Sequence, residues 1–220
     1  MDIDKNIRIF LAGDQKSKGR KPEERYASFD YCFNYFQSFK EKEKTSELAS
    51  FKNLIDSCLH LGYYLASWGM LRGSSFLLQK SVKIYEPLIY YIAHLDKKIW
   101  EIDVDIYTKE NIKLLLECKE CIRKALGIKN NPSDTLITKI MLGVFSNTPA
   151  FDNYFRTGLS VCCYNESALK KVANFYSDNK EKIDRYTIYT FDFASGKETN
   201  RKYKKAKLID MVGFIEGQNK

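Results

Sequence analysis

The sequence predicts an all-α protein, an irregular bundle of many helices with one small β-ribbon near residues 186–200. Three observations carry that prediction. Apolar residues recur every three or four positions through most of the chain, the spacing that gathers them on one face of a helix. Only 4 Pro and 11 Gly interrupt 220 residues, too few for a loop-rich sandwich. Period-two alternation stands out in one place, "RYTIYTFDFASGKE", around a glycine-containing turn.

The elements follow in order. Residues 1–23, with the run "KSKGRKPEER", read as a basic N-terminal arm ahead of a single helical domain over 24–220 that has a soft boundary near 128–133. "EERYASFDYCFNYFQSFKEKEK" spaces Tyr26, Phe29, Phe33 and Phe36 by three and four, a broad aromatic face suited to a core. Ser46 stands where an N-cap would open "ELASFKNLIDSCLHLGYYLASW". After the break "SWGMLRGSS", Ser74 or Ser75 would cap "SFLLQKSVKIY", and Pro87 would kink or restart that helix. Thr108 would cap "KENIKLLLECKECIRKAL", which stops at Gly127. Ser133 or Asp134 starts "TLITKIMLGV", and Pro149 is placed to open "AFDNYFRTGL" at its first helical position. Asn165 would cap "ESALKKVANFYSDNKEKI", the ribbon follows, and "KAKLIDMVGFIEG" ends the chain as an amphipathic helix.

Composition and motifs exclude more than they assert. No stretch approaches the roughly 20 uncharged apolar residues of a membrane span, and the N-terminus lacks the pattern of a signal peptide. A cytoplasmic protein with no membrane partner is expected. Its six cysteines then read as free thiols, with Cys32, Cys58 and Cys163 as small core residues. Cys118 and Cys121 have CxxC spacing, but no second pair completes a zinc site, so neither a metal nor a cofactor is expected. His60 and His94 sit among apolar neighbours and read as core or boundary residues. Glu101, Asp103 and Asp105 alternate along "EIDVDIY", a pattern read as a solvent-facing segment ahead of a metal-binding carboxylate group. There is no P-loop and no Gly-x-Ser-x-Gly.

Net charge is +8, and the basic residues cluster towards the two ends of the chain. Such clusters suit a polyanion such as nucleic acid. Within "SWGMLRGSS", Arg72 with Gly73, Ser74 and Ser75 could seat a phosphate at a helix N-terminus, or the glycines could serve only a tight helix crossing.

"LITKIMLGVFSNTPAFDNYFRTGL", residues 136–159, resembles the late segment of the helix-hairpin-helix DNA glycosylase superfamily, in which a Pro precedes an Asp that opens a helix beside the flipped base. The matching residues are Pro149 and Asp152, with Arg156 one turn on and Lys139 on the preceding helix. "LGVFSN" stands in place of the family's Leu-Pro-Gly-x-Gly hairpin. The resemblance implies nucleic-acid binding and a catalytic carboxylate at Asp152. It calls for a basic groove lined by Arg72, Lys139, Arg156, Lys204 and Lys205. The competing class is a non-enzymatic helical interaction protein, meeting a second copy or another protein through an exposed apolar stripe on the first helix of the domain.

Overall fold

The computed structural model describes residues 1–15 and 17–220. The expected class is observed: among the described residues there are eleven α-helices and one two-stranded antiparallel ribbon. The helices are α1 (Ile3–Ala12), α2 (Ser28–Glu41), α3 (Leu54–Ser67), α4 (Glu86–Ala93), α5 (Lys97–Glu101), α6 (Lys109–Ala125), α7 (Asp134–Phe145), α8 (Asn153–Leu159), α9 (Glu166–Asp178), α10 (Lys180–Asp184) and α11 (Lys205–Gln218). The ribbon pairs β1 (Tyr189–Phe191) with β2 (Glu198–Lys202), Tyr189 opposite Lys202 and Phe191 opposite Glu198. None of the helices is long and apolar enough to cross a membrane.

Two helices form the centre. Residues 136–145 of α7 are all buried, and so is nearly every residue of α11 from Ala206 to Ile215. Around them pack α1, α2, α3 and α8, and one hydrophobic cluster runs from Ile3 to Ile215, across the soft boundary near 128–133. α11 is therefore not the amphipathic surface helix its sequence suggests. Its polar residues Lys207 and Asp210 lie inside, where they satisfy each other.

The N-terminus departs from expectation too. Residues 1–23 are not a detached arm, because Ile3, Ile7 and Phe10 put one face of α1 into the core. Asp2 caps that helix on the Lys5 N–H, and Asn6 Nδ2 donates to Glu216 of α11 at 3.0 Å. Arg20 is buried as well. Its guanidinium donates to Asp30 of α2 at 2.7 Å and to the Tyr189 carbonyl, and it lies 3.8 Å above the Phe191 ring. Asp30 Oδ2 accepts the Phe191 N–H at 3.0 Å, which fastens the ribbon to α2.

Caps read from sequence hold where the chemistry is local. Thr108, Ser133 and Asn165 each accept an N–H three residues on, at 3.2, 3.2 and 2.9 Å. Others moved. Residues 45–49 form a 3₁₀ turn, so α3 starts at Leu54 and Ser46 caps nothing there. "SFLLQKSVKIY" makes two short 3₁₀ turns in place of an α-helix, the first capped by Ser75. Pro149 stays in the connection, and Asp152 is the cap of α8.

α8 crosses α11 backbone to backbone. A Cβ on Gly158 would stand 2.0 Å from the Gly213 carbonyl oxygen, and one on Gly217 would stand 1.8 Å from that of Tyr154. Neither helix can retreat without opening the core. Gly158→Ala and Gly217→Ala should each cost about 3 kcal/mol or more in urea unfolding, at the upper end of overpacking, whereas Gly73→Ala, with left-handed φ but open space, should cost only about 1–2 kcal/mol. A Gly158→Ala protein that unfolds at the wild-type urea concentration would contradict the close crossing.

Candidate active site

The connection from α7 to α8 is a buried loop tied to α7 and α11. Ser146 ends α7 in the left-handed region (φ 50) and turns the chain, and Ser146 to Phe151 are buried. Backbone polar groups in a buried loop need partners, and both flanking layers supply them. From α7, Thr138 Oγ1 accepts the Phe151 N–H at 2.8 Å and Thr135 Oγ1 donates to its carbonyl at 2.9 Å. From α11, Asp210 Oδ1 accepts the Ala150 N–H at 3.0 Å.

This anchoring sets four charged side chains around one crevice. Asp152 Oδ1 caps α8 on the Phe155 N–H, and its Oδ2 lies 3.0 Å from Lys139 Nζ of α7. Asp210 Oδ2 lies 2.8 Å from Lys207 Nζ on the same helix. Each carboxylate thus holds a backbone amide with one oxygen and a lysine with the other. Buried ions are tolerated only when paired and hydrogen-bonded, and here two ammonium groups meet two carboxylates. The centre sums to zero charge.

Aromatic rings wall it. Lys139 Nζ is 4.9 Å from the Trp68 ring centroid, and Lys207 Nζ is 4.6 Å from Phe29, 4.9 Å from Phe10 and 5.4 Å from Trp68. These are cation–π distances, worth most where water is excluded. Tyr64 reaches in because position 143 is glycine: a Cβ there would meet the Tyr64 ring at 2.4 Å. Tyr64, Trp68 and Phe214 complete the wall, and the crevice has no water-sized space. Trp68 ends α3, half-buried, stacked on Tyr26 with centroids 5.5 Å apart, and its Nε1 is buried with no hydrogen-bond partner among the described residues. The exposed Arg25 guanidinium is 5.3 Å from the same ring.

The residues expected to line a basic groove do not assemble into one. Lys139 and Asp152 come together, but Lys139 is buried in the pair and presents no charge to a surface phosphate. Arg156 folds back on its own helix end, donating to Asn153 and to the Cys162 carbonyl. Lys204 donates to the Trp100 carbonyl at 2.6 Å, and Lys205 pairs with Asp184 at 2.6 Å. Arg72 is exposed and folded against Gly69. Gly73, Ser74 and Ser75 lead into a four-residue 3₁₀ turn, which lacks the aligned N–H groups of an anion-binding helix end.

Other candidates resolve as structure. Asp103 is no metal ligand: it accepts the N–H groups of Lys205 and Ala206 at 2.7 and 2.8 Å, capping α11. Among the described residues no group of three or more His, Cys, Asp or Glu could hold a metal ion. Cys163 is exposed, unlike Cys32 and Cys58, and both histidines lie at the surface, His60 stacked on Tyr35 at 4.1 Å. Lys207 and Asp210 escaped the sequence reading, although Lys207, Asp210, Gly213 and Gly217 share one stripe of α11 at spacings of three and four. Comparison with known proteins adds nothing to this geometry: no family model, no curated protein and no solved structure matches the chain.

Burial lowers the Lys204 amine from 10.5 to about 8, against the pull of Asp103 and Glu101. Between those values the unfolded chain holds more protons than the folded one, so this group makes stability rise as pH rises through that window. Wild-type protein compared with Lys204→Met in urea titrations from pH 7 to pH 10.5 should show that gain in the wild type alone. Equal slopes would contradict a depressed Lys204.

Proposed function

We propose that the protein acts on nucleic acid as a glycosylase-like enzyme, with Lys139 and Asp152 as the reacting pair. One observation carries the reading: an amine and a carboxylate 3.0 Å apart, from two different helices, in a dry crevice walled by aromatic rings. Resemblance to the glycosylase segment singled out the same two positions. The pair has the parts of an activated nucleophile, an amine with an adjacent base.

The chemistry follows from those parts. A base turned out of its stack needs flat apolar walls, which Tyr64, Trp68 and Phe214 provide. One proton first passes from the Lys139 ammonium to Asp152 Oδ2, which frees the nitrogen lone pair, and the amine then attacks the anomeric carbon of the sugar. The bond from that carbon to the base breaks, and the base leaves with the electron pair and takes the proton held by Asp152. Ring opening moves a proton from the adduct nitrogen to the ring oxygen and leaves a Schiff base between Lys139 and the sugar, the form that hydride reduction captures. Lys207 and Asp210 keep their own charges balanced and hold Ala150, so the Lys139–Asp152 distance does not drift.

Entry requires Trp68 to move. It is followed by Gly69 at φ 74, with Gly73 at φ 59 beyond, so the connection after α3 turns at two residues suited to backbone rearrangement. Arg25 stands beside that ring as an exposed cation for a phosphate chain.

Duplex and single-stranded oligonucleotides carrying one damaged or mismatched base each test the reading in single-turnover assays with borohydride. The wild type should release base and form a trapped adduct that maps to Lys139. Lys139→Gln and Asp152→Asn should slow release by roughly 10²–10⁴-fold with circular dichroism unchanged, since Asn keeps the α8 cap. A folded wild type that neither releases base nor forms an adduct across the panel contradicts the proposal.

A further inference from the structure

The outer face of α3 is apolar without cover. Phe51, in the turn that opens the helix, is 104% exposed, and Ile55, Leu59 and Tyr63 follow at 66%, 51% and 72%. They recur every four residues, so they form one ridge of the kind that interdigitates when two helices pack on their i±4n rows. The apolar stripe looked for on the first helix of the domain is thus one helix later, because α2 buries Phe29, Phe33 and Phe36.

The two ends of the ridge differ in shape. At one end Phe51 stands clear as a knob. At the other, α3 borders a cleft of about 770 Å³ whose walls include Leu59, Tyr63, Tyr31 and the 80% exposed Phe193. A knob and a hole at opposite ends of one helix are what a two-fold axis near its middle pairs, each knob entering the other copy's hole. The twelve steps from Phe51 to Tyr63 span about 18 Å at 1.5 Å a residue, so both insertions fit along one helix–helix contact.

Charge and area agree with that occupant. Lys52 lies beside the knob, while Glu23 is exposed at the cleft, so a reversed second copy brings these unlike charges together at both ends. Three carboxylates, Glu23, Glu24 and Asp56, line the cleft with one guanidinium, Arg25, so it lacks the basic rim that favours an anionic membrane surface. With about 200 Å² for a whole aromatic side chain, Phe51, Tyr63 and Phe193 with Ile55 and Leu59 offer roughly 600 Å² a copy. Adjoining backbone and polar rim bring this to the scale of a small stable interface, about 600–800 Å² per partner.

We infer that the protein is a two-fold symmetric homodimer in solution, joined antiparallel along α3 with Phe51 of each copy seated in the cleft of the other. The inference is independent of the reaction proposed at Lys139. Sedimentation equilibrium of the full chain tests it, with circular dichroism as a control for folding. The wild type should sediment as a dimer. Phe51→Glu and Leu59→Glu should weaken association at least about 30-fold, as loss of a central apolar anchor does, with unchanged melting because both side chains are exposed. Lys52→Glu and Glu23→Lys should each weaken it several-fold, and combining them should restore it. A wild type that stays monomeric up to about 100 µM, or a dimer indifferent to Phe51→Glu and Leu59→Glu, overturns the inference.

Discussion

The structure depends on the contacts Asp210 makes from the middle of α11. One carboxylate oxygen takes the Ala150 N–H and the other takes Lys207. The connection before α8 is thereby tied to the centre of the fold, and Asp152 is delivered to Lys139. Without that tie, a buried loop would leave an unpaired amide, at about 1–3 kcal/mol, and Lys207 would face aromatic rings with no counter-charge. Replacing such a cluster by well-packed apolar residues is often neutral or stabilising. Like the buried Arg20–Asp30 pair, the cluster is therefore weak evidence for stability taken alone, and its role in the fold is to fix the loop and the two carboxylates in place.

Packing supplies the precision. Glycines at 158, 213 and 217 bring α8 against α11 at backbone distance, and glycine at 143 admits Tyr64 beside the pair. Each removes a side chain where a methyl group would have forced elements apart. The crevice is dry for the same reason, and a dry site strengthens every electrostatic contact within it. Trp68 closes it from the end of α3, and the glycines that follow end that helix beside the mouth.

How far the sequence disclosed this depends on the range of each interaction. Caps at Thr108, Ser133 and Asn165 were legible because donor and acceptor lie three residues apart. So was the ribbon, whose alternation and turn are adjacent in the chain. Lys139 and Asp152 could be named from one short segment, since α7, its break and α8 bring them together across thirteen positions. Lys207 and Asp210 could not: charges in a helix with polar neighbours read as a solvent face, and only contact with Ala150, sixty positions away, buries them. α1 was missed for a related reason, as Asp2, Asp4, Lys5 and Arg8 mask the apolar face of Ile3, Ile7 and Phe10. The basic groove failed because net charge says nothing of pairing. Lys204, Lys205 and Arg156 are each engaged by a carbonyl, a carboxylate or an amide of the protein itself.

Nitrogen-15 NMR of the lysine side chains tests the charged cluster most directly. Lys139 and Lys207 should each give an ammonium signal that exchanges slowly with water at neutral pH and is shifted by the rings beside it, and Asp210→Asn should abolish the Lys207 signal while exposing the Ala150 amide to exchange. Two lysines that exchange as freely as surface ones, with the Ala150 amide indifferent to Asp210, would contradict a buried charged centre that holds the fold together.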